Sequence, residues 1–474
     1  MGDAARSSRL ERTALLVVMV SCFLTPFTSS SINLAIPSMG TELDTNATMM
    51  SWVVTAHMLG SATFLLPFGR LADITGRKRI FVAGTALFAL ASLLCALARS
   101  AESLVAFRVF QGIAASMTFG TANAMLISIY PPERRGKVLG LTTAATYIGL
   151  SVGPVLGGLM NQRLGWRSIF YLGVVLAALI VIGTLAFLRG EWTGAKGERF
   201  DLGGSILYSM GIALLFYSLS SISSDVSSRY RLVIGFLLMV AFVRYETRLE
   251  HPLIHVELFS KNIAFAFSNL AAMINYSATA ALSFVLSLHL QLVSKLSSER
   301  AGLILLVQPA IMAALSPVTG ALSDRIEPRV LASTGMGLTT VGLFFFVFLG
   351  KDTPLWLIAA NLALIGLGFS LFSSPNTNAV MRAVEKRYYG IASSSLATMR
   401  NAGQTVSMAI VTLLMAMYLG DVNLADAPAD SLVKTSRVAF LVFGVICAGG
   451  IFASMARGNI NTEKDRSTGS DSSH

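Results

Sequence analysis

"GRLADITGRKR", Gly69 to Arg79, holds five charged residues in eleven, in a chain that is only 13% charged. Apolar runs flank it, Ser51–Phe68 and Ile80–Ala98. Each is close to the length a helix needs to cross a hydrocarbon layer about 30 Å thick. The segment is therefore a short polar turn between two membrane helices, and its four cations mark the side on which it lies. Working outward from it, similar runs fill the chain: six between Ala14 and Leu188, two between Leu202 and Tyr245, and six between Ile263 and Met455. The shortest, Tyr230–Tyr245, reaches only about 24 Å at about 1.5 Å per residue. Counting it gives about fourteen spans.

With 54% hydrophobic residues and a mean hydropathy of +0.67, the chain is far more apolar than a soluble domain needs. It reads as an all-α polytopic protein embedded in a lipid bilayer. The net charge of +11 does not point to nucleic acid, because the cations occur in short clusters between apolar runs. Placing the N-terminus and Gly69–Arg79 in the cytoplasm puts about 24 of the 36 Lys and Arg on that side and about 10 on the other. Both termini are then cytoplasmic. Cys22, Cys95 and Cys447 lie in apolar runs without ligand or disulfide spacing, so no metal and no cofactor is expected. The chain carries no P-loop, HExxH or GxSxG motif and is not read as an enzyme.

Topology explains the cations of the opening stretch but not Asp73, Gly69 or Gly76. The stretch resembles the loop signature of the major facilitator superfamily of transporters. A degenerate copy, "GALSDRIEPR" at Gly320–Arg329, follows the second run of the second block of six, where an internal repeat places it. Two further segments match the drug–proton antiporter branches. "LVAFRVFQG" sets Arg108 in an apolar helix, and "GLSVGPVLGG" spaces Gly149, Gly153 and Gly157 by four residues, with Pro154 and Gly158 adjacent. The central pair of runs, "RLEHPLIHVELFSKN" and "GIASSSLATMRNAGQTVSMAI" make the chain similar to the fourteen-helix, multidrug-efflux branch.

That resemblance implies two six-helix bundles, 1–190 and 261–457. Residues 191–260 would supply two extra helices and a cytoplasmic linker, and 458–474 a disordered tail. It implies a monomer of the cytoplasmic membrane that exports small amphipathic organic molecules or drugs in exchange for protons by alternating access. Gly69, Asp73, Gly76 and Arg77, with Asp324 and Arg325, would form a cytoplasmic latch. In it Asp73 would pair with basic groups or helix termini of the opposite half. Gly149, Gly153, Pro154, Gly157 and Gly158 would make a close-packed, bendable helix.

Proton coupling is where the chain departs from the branch. Cation exporters of this type usually carry an aspartate five residues before the position of Asn33; Thr28 stands there instead. No run holds Asp or Glu deep inside it. The coupling candidates are His57, Arg108 and Asp73, with arginine acting only by tuning a neighbour, since it keeps its proton. The plain alternative for His57 is a hydrogen-bonded core residue. Cavity candidates are Asn33, Tyr147, Asn275, Gln308, Asn376, Asn378, Arg400 and Gln404. For each neutral one the alternative is an interhelical hydrogen bond. Arg400, a costly charge inside a run, is suited to attract an anionic or zwitterionic group of a substrate. Two other functions stay open: facilitated uniport of a neutral or anionic solute, and a non-transporting sensor or scaffold on the same fold.

Overall fold

Hydrocarbon offers no partner to a backbone N–H or C=O, so each apolar run must satisfy its own main chain and becomes a helix. The structure, a computed structural model, describes residues 2–221, 227–250, 252–254, 256–323, 325–384, 389–420 and 422–458. Asp324 of the expected latch and positions 459–474 of the expected tail lie outside these residues. The first block contains α1 (Gly2–Glu42), α2 (Ala47–Thr75), α3 (Arg77–Ala96), α4 (Ala101–Ile129), α5 (Pro132–Leu164) and α6 (Arg167–Phe187). The central pair is α7 (Leu202–Ser221) and α8 (Ser227–Glu246), followed by the short α9 (Val256–Lys261). The second block opens with α10 (Ile263–Thr279), α11 (Leu282–Leu288), α12 (Ser298–Leu305) and α13 (Val307–Leu322). It closes with α14 (Pro328–Phe346), α15 (Leu355–Arg382), α16 (Tyr389–Tyr418) and α17 (Ala429–Ala456). No strand occurs among the described residues.

The two blocks repeat one packing scheme. In the first, α1 packs on α5 and α6, α2 on α4, and α3 on α4 and α6; in the second, α10 packs on α16 and α17, α13 on α15, and α14 on α15 and α17. The repeat read from the two loop signatures is thus a repeat of helix contacts. Twelve described helices are long and apolar enough to cross a membrane. Of the long helices, α8 and α16 fall outside that set, because α8 carries arginines near both ends and α16 carries Arg400, Asn401 and Gln404 in its middle. The helix around Tyr230–Tyr245 runs longer than its apolar core. It has 20 residues, about 30 Å of helix, because Ser227–Arg229 and Glu246 continue the backbone hydrogen bonding.

Two expected spans are interrupted: Ala301–Leu322 at Leu306, between α12 and α13, and the one that opens the second block. The run Ile263–Leu292 turns at Ala280–Ala281 between α10 and α11 and ends in a π-turn, His289–Val293. The Ala281 N–H donates to Ser407 Oγ of α16 at 3.0 Å, so a side chain of the neighbouring helix serves the break.

Hydrogen bonds join the two blocks along a seam. At the end bearing Asn46, Leu424 N–H donates to Thr45 O at 3.2 Å and Thr48 Oγ1 to Gly420 O at 3.3 Å. Further along, Ser287 Oγ donates to Asn33 O at 2.6 Å, Gln291 Nε2 to Leu34 O at 3.1 Å and Asn161 Nδ2 to Ser298 Oγ at 2.9 Å. The Thr55 and Thr412 hydroxyls share a bond at 2.9 Å, and Asn401 Nδ2 reaches Ser61 Oγ at 3.0 Å. The Tyr147 hydroxyl shares a bond with Ser373 Oγ at 3.2 Å, and these contacts gather from mid-bundle towards the end bearing Asn46.

Close backbone approach makes the bonded end possible. A Cβ on Gly149 would stand 2.6 Å from Phe23 O of α1, and Cβ atoms on Gly153 and Gly157 would overlap Ser30 and Ser31. The other side of α5 faces the second block: a Cβ on Gly158 would stand 2.5 Å from Ser298 O, and one on Gly302 would overlap Pro154 O. The five residues expected to form a conformational helix therefore wedge α5 between α1 and α12. Gly302→Val is expected to pry this wedge apart, at roughly the 1–3 kcal/mol of an overpacked contact. Spin labels at the exposed positions Arg163 and Lys295 should then report a longer distance population that the wild-type protein lacks.

Candidate functional site

Gly69–Arg79 is built as a clasp. Its turn rests on Gly76, whose φ of +130° excludes a side chain without strain, and a Cβ there would meet the Glu191 carboxylate. Asp73 Oδ1 accepts from Arg77 Nε at 2.7 Å, and Arg77 Nη1 continues to Ala124 O of α4 at 3.0 Å and to the Ser128 hydroxyl. The linker between α6 and α7 supplies the rest. Gly194 and Ala195 N–H donate to Asp73 O at 3.0 and 2.9 Å, Arg77 N–H donates to Trp192 O, and Glu191 Oε1 accepts from Lys78 N–H at 2.8 Å. Arg70 forms an ion pair with Glu198. Asp73 is thus tied within its own block and to the linker, because the turn at Gly76 brings the first residue of α3, Arg77, against the last turn of α2. Arg325 is exposed. The acids Glu191 and Glu198 were the missed partners; their signal was two carboxylates in "GEWTGAKGE", Gly190 to Glu198, on the same side as a loop with four cations.

His57 and Arg108 lie together between α2 and α4. Arg108 is 1% exposed; its Nε donates to Val53 O at 2.8 Å and its Nη1 to Gln111 Oε1, while Gln111 Nε2 donates to Ser92 Oγ at 2.7 Å. Neutral oxygens alone solvate the cation. Gly112 allows this closeness, since a Cβ there would overlap His57 O. His57 Nδ1 is buried and has no partner, so that nitrogen lacks the hydrogen bond of an ordinary core histidine.

The other candidates divide between the seam of the two blocks and the interior of the second block. At the seam, Tyr147 of α5, Met312 of α13 and Phe369 of α15 form one cluster with Tyr276 of α10 against it. Tyr147 shares a hydrogen bond with Ser373 at 3.2 Å, and the Tyr276 and Phe369 rings meet edge to face at 5.3 Å. Arg400 completes the group: its guanidinium lies 5.5 Å from the Tyr276 ring centroid, Nη2 donates to Thr377 Oγ1 at 2.6 Å, and Nε is buried without a partner. No carboxylate among the described residues pairs with it. Tyr276 is an intramembrane polar group by sequence, but its meeting with Arg400 has no signal there until α10 and α16 are packed together.

Asn376 lies in the interior of the second block. Its Nδ2 donates to Ser268 O at 3.1 Å and its Oδ1 accepts from the buried Arg457 at 3.0 Å, so both ends of the amide are engaged. Asn378 donates to Ser323 Oγ at 2.8 Å. Asn33 Oδ1 and both polar atoms of the Asn275 side chain are buried without partners. Gln308 is buried and Gln404 half-buried. Thr28 Oγ1 donates to Leu24 O at 2.8 Å within its own helix. A separate depression of about 780 Å³ lies at the Asn46 end, lined by Lys351, Asp352, Asp430, Lys434 and Arg437, far along the bundle from Arg400. No cluster of three His, Cys, Asp or Glu suited to a metal occurs among the described residues.

Two repeated helical bundles that meet on an aromatic and cationic seam define a membrane transporter. The chain belongs to the Major Facilitator Superfamily, whose family model matches residues 18–243 and 268–472. It is a multi-pass protein of the cytoplasmic membrane. Riboflavin transporter RibZ of Clostridioides difficile is 28% identical over 92% of this chain and 95% of its own length. Multidrug resistance protein Stp of Mycobacterium tuberculosis is 29% identical over 86% and 77%. Cephamycin export protein CmcT of Amycolatopsis lactamdurans is 31% identical over 84% of each. Among solved structures, a peptide transporter POT superposes with a TM-score of 0.70 at 13% identity over 95% of this chain and 97% of that one. A bacterial homologue of the lysosomal transporter Spinster, inward-facing and unoccupied, superposes with a TM-score of 0.68 at 14% identity over 94% and 97%.

Asp73→Asn removes the charge that aligns the Arg77 fork, and it is expected to slow transport severalfold at unchanged expression. Arg79→Lys, at a side chain 77% exposed, should leave the rate unaltered. Glu198→Gln should raise protease cleavage within 188–198, read by limited proteolysis of the purified protein.

Proposed function

We propose that the protein exports amphipathic organic compounds or drugs that carry an anionic or zwitterionic group, in exchange for protons. The observation that carries this reading is Arg400, a cation on the seam with an unpartnered Nε, bordered by Tyr147, Tyr276, Met312 and Phe369. Aromatic and methionine surface accommodates varied apolar bodies. An unpaired guanidinium selects what they carry, since a carboxylate that reaches it gains charge-assisted hydrogen bonds in a poorly solvated site. Relatives named for multidrug resistance and cephamycin export support an export role, and the one named for riboflavin transport supports an aromatic organic solute.

In this proposal α8 and α16 also cross the membrane, which gives fourteen spans with both termini and Gly69–Arg79 in the cytoplasm, and the domains are 1–190, 191–260 and 261–457. The bonded Asn46 end is then outside, and the cavity faces inward. Gly69–Arg79 acts as the cytoplasmic latch through its clasp on the linker, and α5 bends about Pro154 as the Asn46 end opens. His57 carries the coupling proton beside Arg108.

Arg400→Gln is expected to cut transport of an anionic amphipath at least tenfold in vesicles while sparing a neutral analogue. An equal loss for both would remove Arg400 from recognition. One proton moving down about 100 mV supplies about 2.3 kcal/mol, enough for roughly fiftyfold accumulation of a neutral solute. His57→Gln should abolish that accumulation and retain downhill exchange. A wild-type protein indifferent to both pH gradient and voltage is a uniporter.

A further inference from the structure

At the Asp73 end the two extra helices meet in a pair of carboxylates. Asp201 caps the first turn of α7, its Oδ1 accepting from Gly204 N–H at 2.9 Å. Glu246 ends α8, is 2% exposed, and its Oε2 accepts from Ile254 N–H at 3.1 Å. The second oxygen of each, Asp201 Oδ2 and Glu246 Oε1, is buried and has no donor. Both converge on one place, for a Cβ built on Gly204 would overlap the two of them. Two buried carboxylate oxygens that face each other repel unless a proton lies between them.

The helix ends decide which group holds it. Asp201 stands at an N-terminus, where the macrodipole favours an anion, and Glu246 at a C-terminus, where the macrodipole opposes one. The proton belongs on Glu246, with Oε1–H donating to Asp201 Oδ2. Burial is the larger cause that raises the Glu246 carboxyl from its ordinary 4.5 to about 7; Asp201 adds to it, and the linker N–H groups of Ile254 and Leu253 oppose it. From α7 the group is faced by Asp201, from the linker by those N–H groups, and beside it on α8 stands Tyr245, whose hydroxyl lies against Gly203.

The bond from Ile254 gives the proton something to control. Leu253 and Ile254 pack on the cluster of Ala62, Leu66, Tyr208, Ile212, Phe216 and Phe242, which also receives Ala402 and Val406 of α16. Tyr208 Oη donates to Ala62 O of α2 at 2.9 Å. The linker thus straps the line where α2 meets α16 across the two blocks. We propose that Asp201 and Glu246 form a one-proton binding site whose occupancy holds this strap in place.

The sign follows from linkage. Docked, Glu246 keeps its proton up to about 7; released into water it ionises near 4.5. Docking is fully favoured below the lower value, weakens by up to about tenfold per pH unit between the two, and weakens no further above the higher.

The test uses the full chain in lipid nanodiscs without substrate, so its failure is separate from any failure of the transport proposal. Hydrogen–deuterium exchange of peptides spanning 247–256, corrected for intrinsic rates, should rise at least tenfold from about pH 4.5 to about pH 7. An infrared carbonyl band of a protonated carboxyl should vanish with the upper end of that window. Glu246→Gln keeps a donor towards Asp201 and an acceptor for Ile254, so its exchange should stay low and flat and the band should be missing. Asp201→Asn should also lose the band. A flat wild-type exchange profile, or a titrating band that survives in both variants, overturns the proposal. Should a variant misfold, the wild-type profile and band decide by themselves.

Discussion

The bonded end of the molecule depends on how closely α5 approaches its neighbours on both sides. Towards α1 the approach is set by Gly149, Gly153 and Gly157, and towards α12 by Gly158 meeting Ser298 and Pro154 meeting Gly302. In a bilayer no hydrophobic gain drives helices together, so contact distance and hydrogen bonds carry the association. Small residues let Ser31 Oγ reach Gly153 O at 3.0 Å and Asn161 reach Ser298. Larger ones would hold the two blocks apart along their shared wall.

Positive charge inside the bundle follows a single rule of accommodation. Arg108 and Arg457 are almost fully buried; a carbonyl and a side-chain amide accept from Arg108, and a carbonyl, two hydroxyls and a side-chain amide accept from Arg457. A guanidinium tolerates this because its charge is delocalised and its five donors can be shared among neutral acceptors. Arg400 differs in having one buried donor left over. That surplus distinguishes Arg400 from Arg108 and Arg457, neither of which has a buried nitrogen without a partner.

The two extra helices tie the clasp to the seam. Their incoming linker holds Gly69–Arg79 through Glu191, Trp192, Gly194, Ala195 and Glu198. Their outgoing linker lies over α2 and α16. Tyr208 and Ser209 bond the main chain of α2 at Ala62 and Thr63, within one turn of Ser61, the partner of Asn401. A movement of the blocks that separates α2 from α16 therefore has to displace this hairpin or carry it along.

Hydropathy and repeated loop signatures were enough, read linearly, to establish helices, their approximate bounds, a doubled architecture and the close-packing role of "GLSVGPVLGG", because each rests on local composition and on backbone bonding that every run must complete for itself. The partners of polar residues were not legible in the same way. Asp73 turned to Arg77 and the linker, and Asn376 to Arg457. Tyr276 joined Arg400, and Asp201 met Glu246 across 45 positions of chain. Such pairings depend on which faces meet after packing, and an intramembrane polar group takes whichever partner lies within about 3 Å. Sequence by itself determined that this chain is a stack of membrane helices in two related halves. Only the tertiary structure decided which charges are satisfied within their own half, which remain open at the seam, and where two acids are forced to share a proton, since burial and distance exist only once the helices are packed.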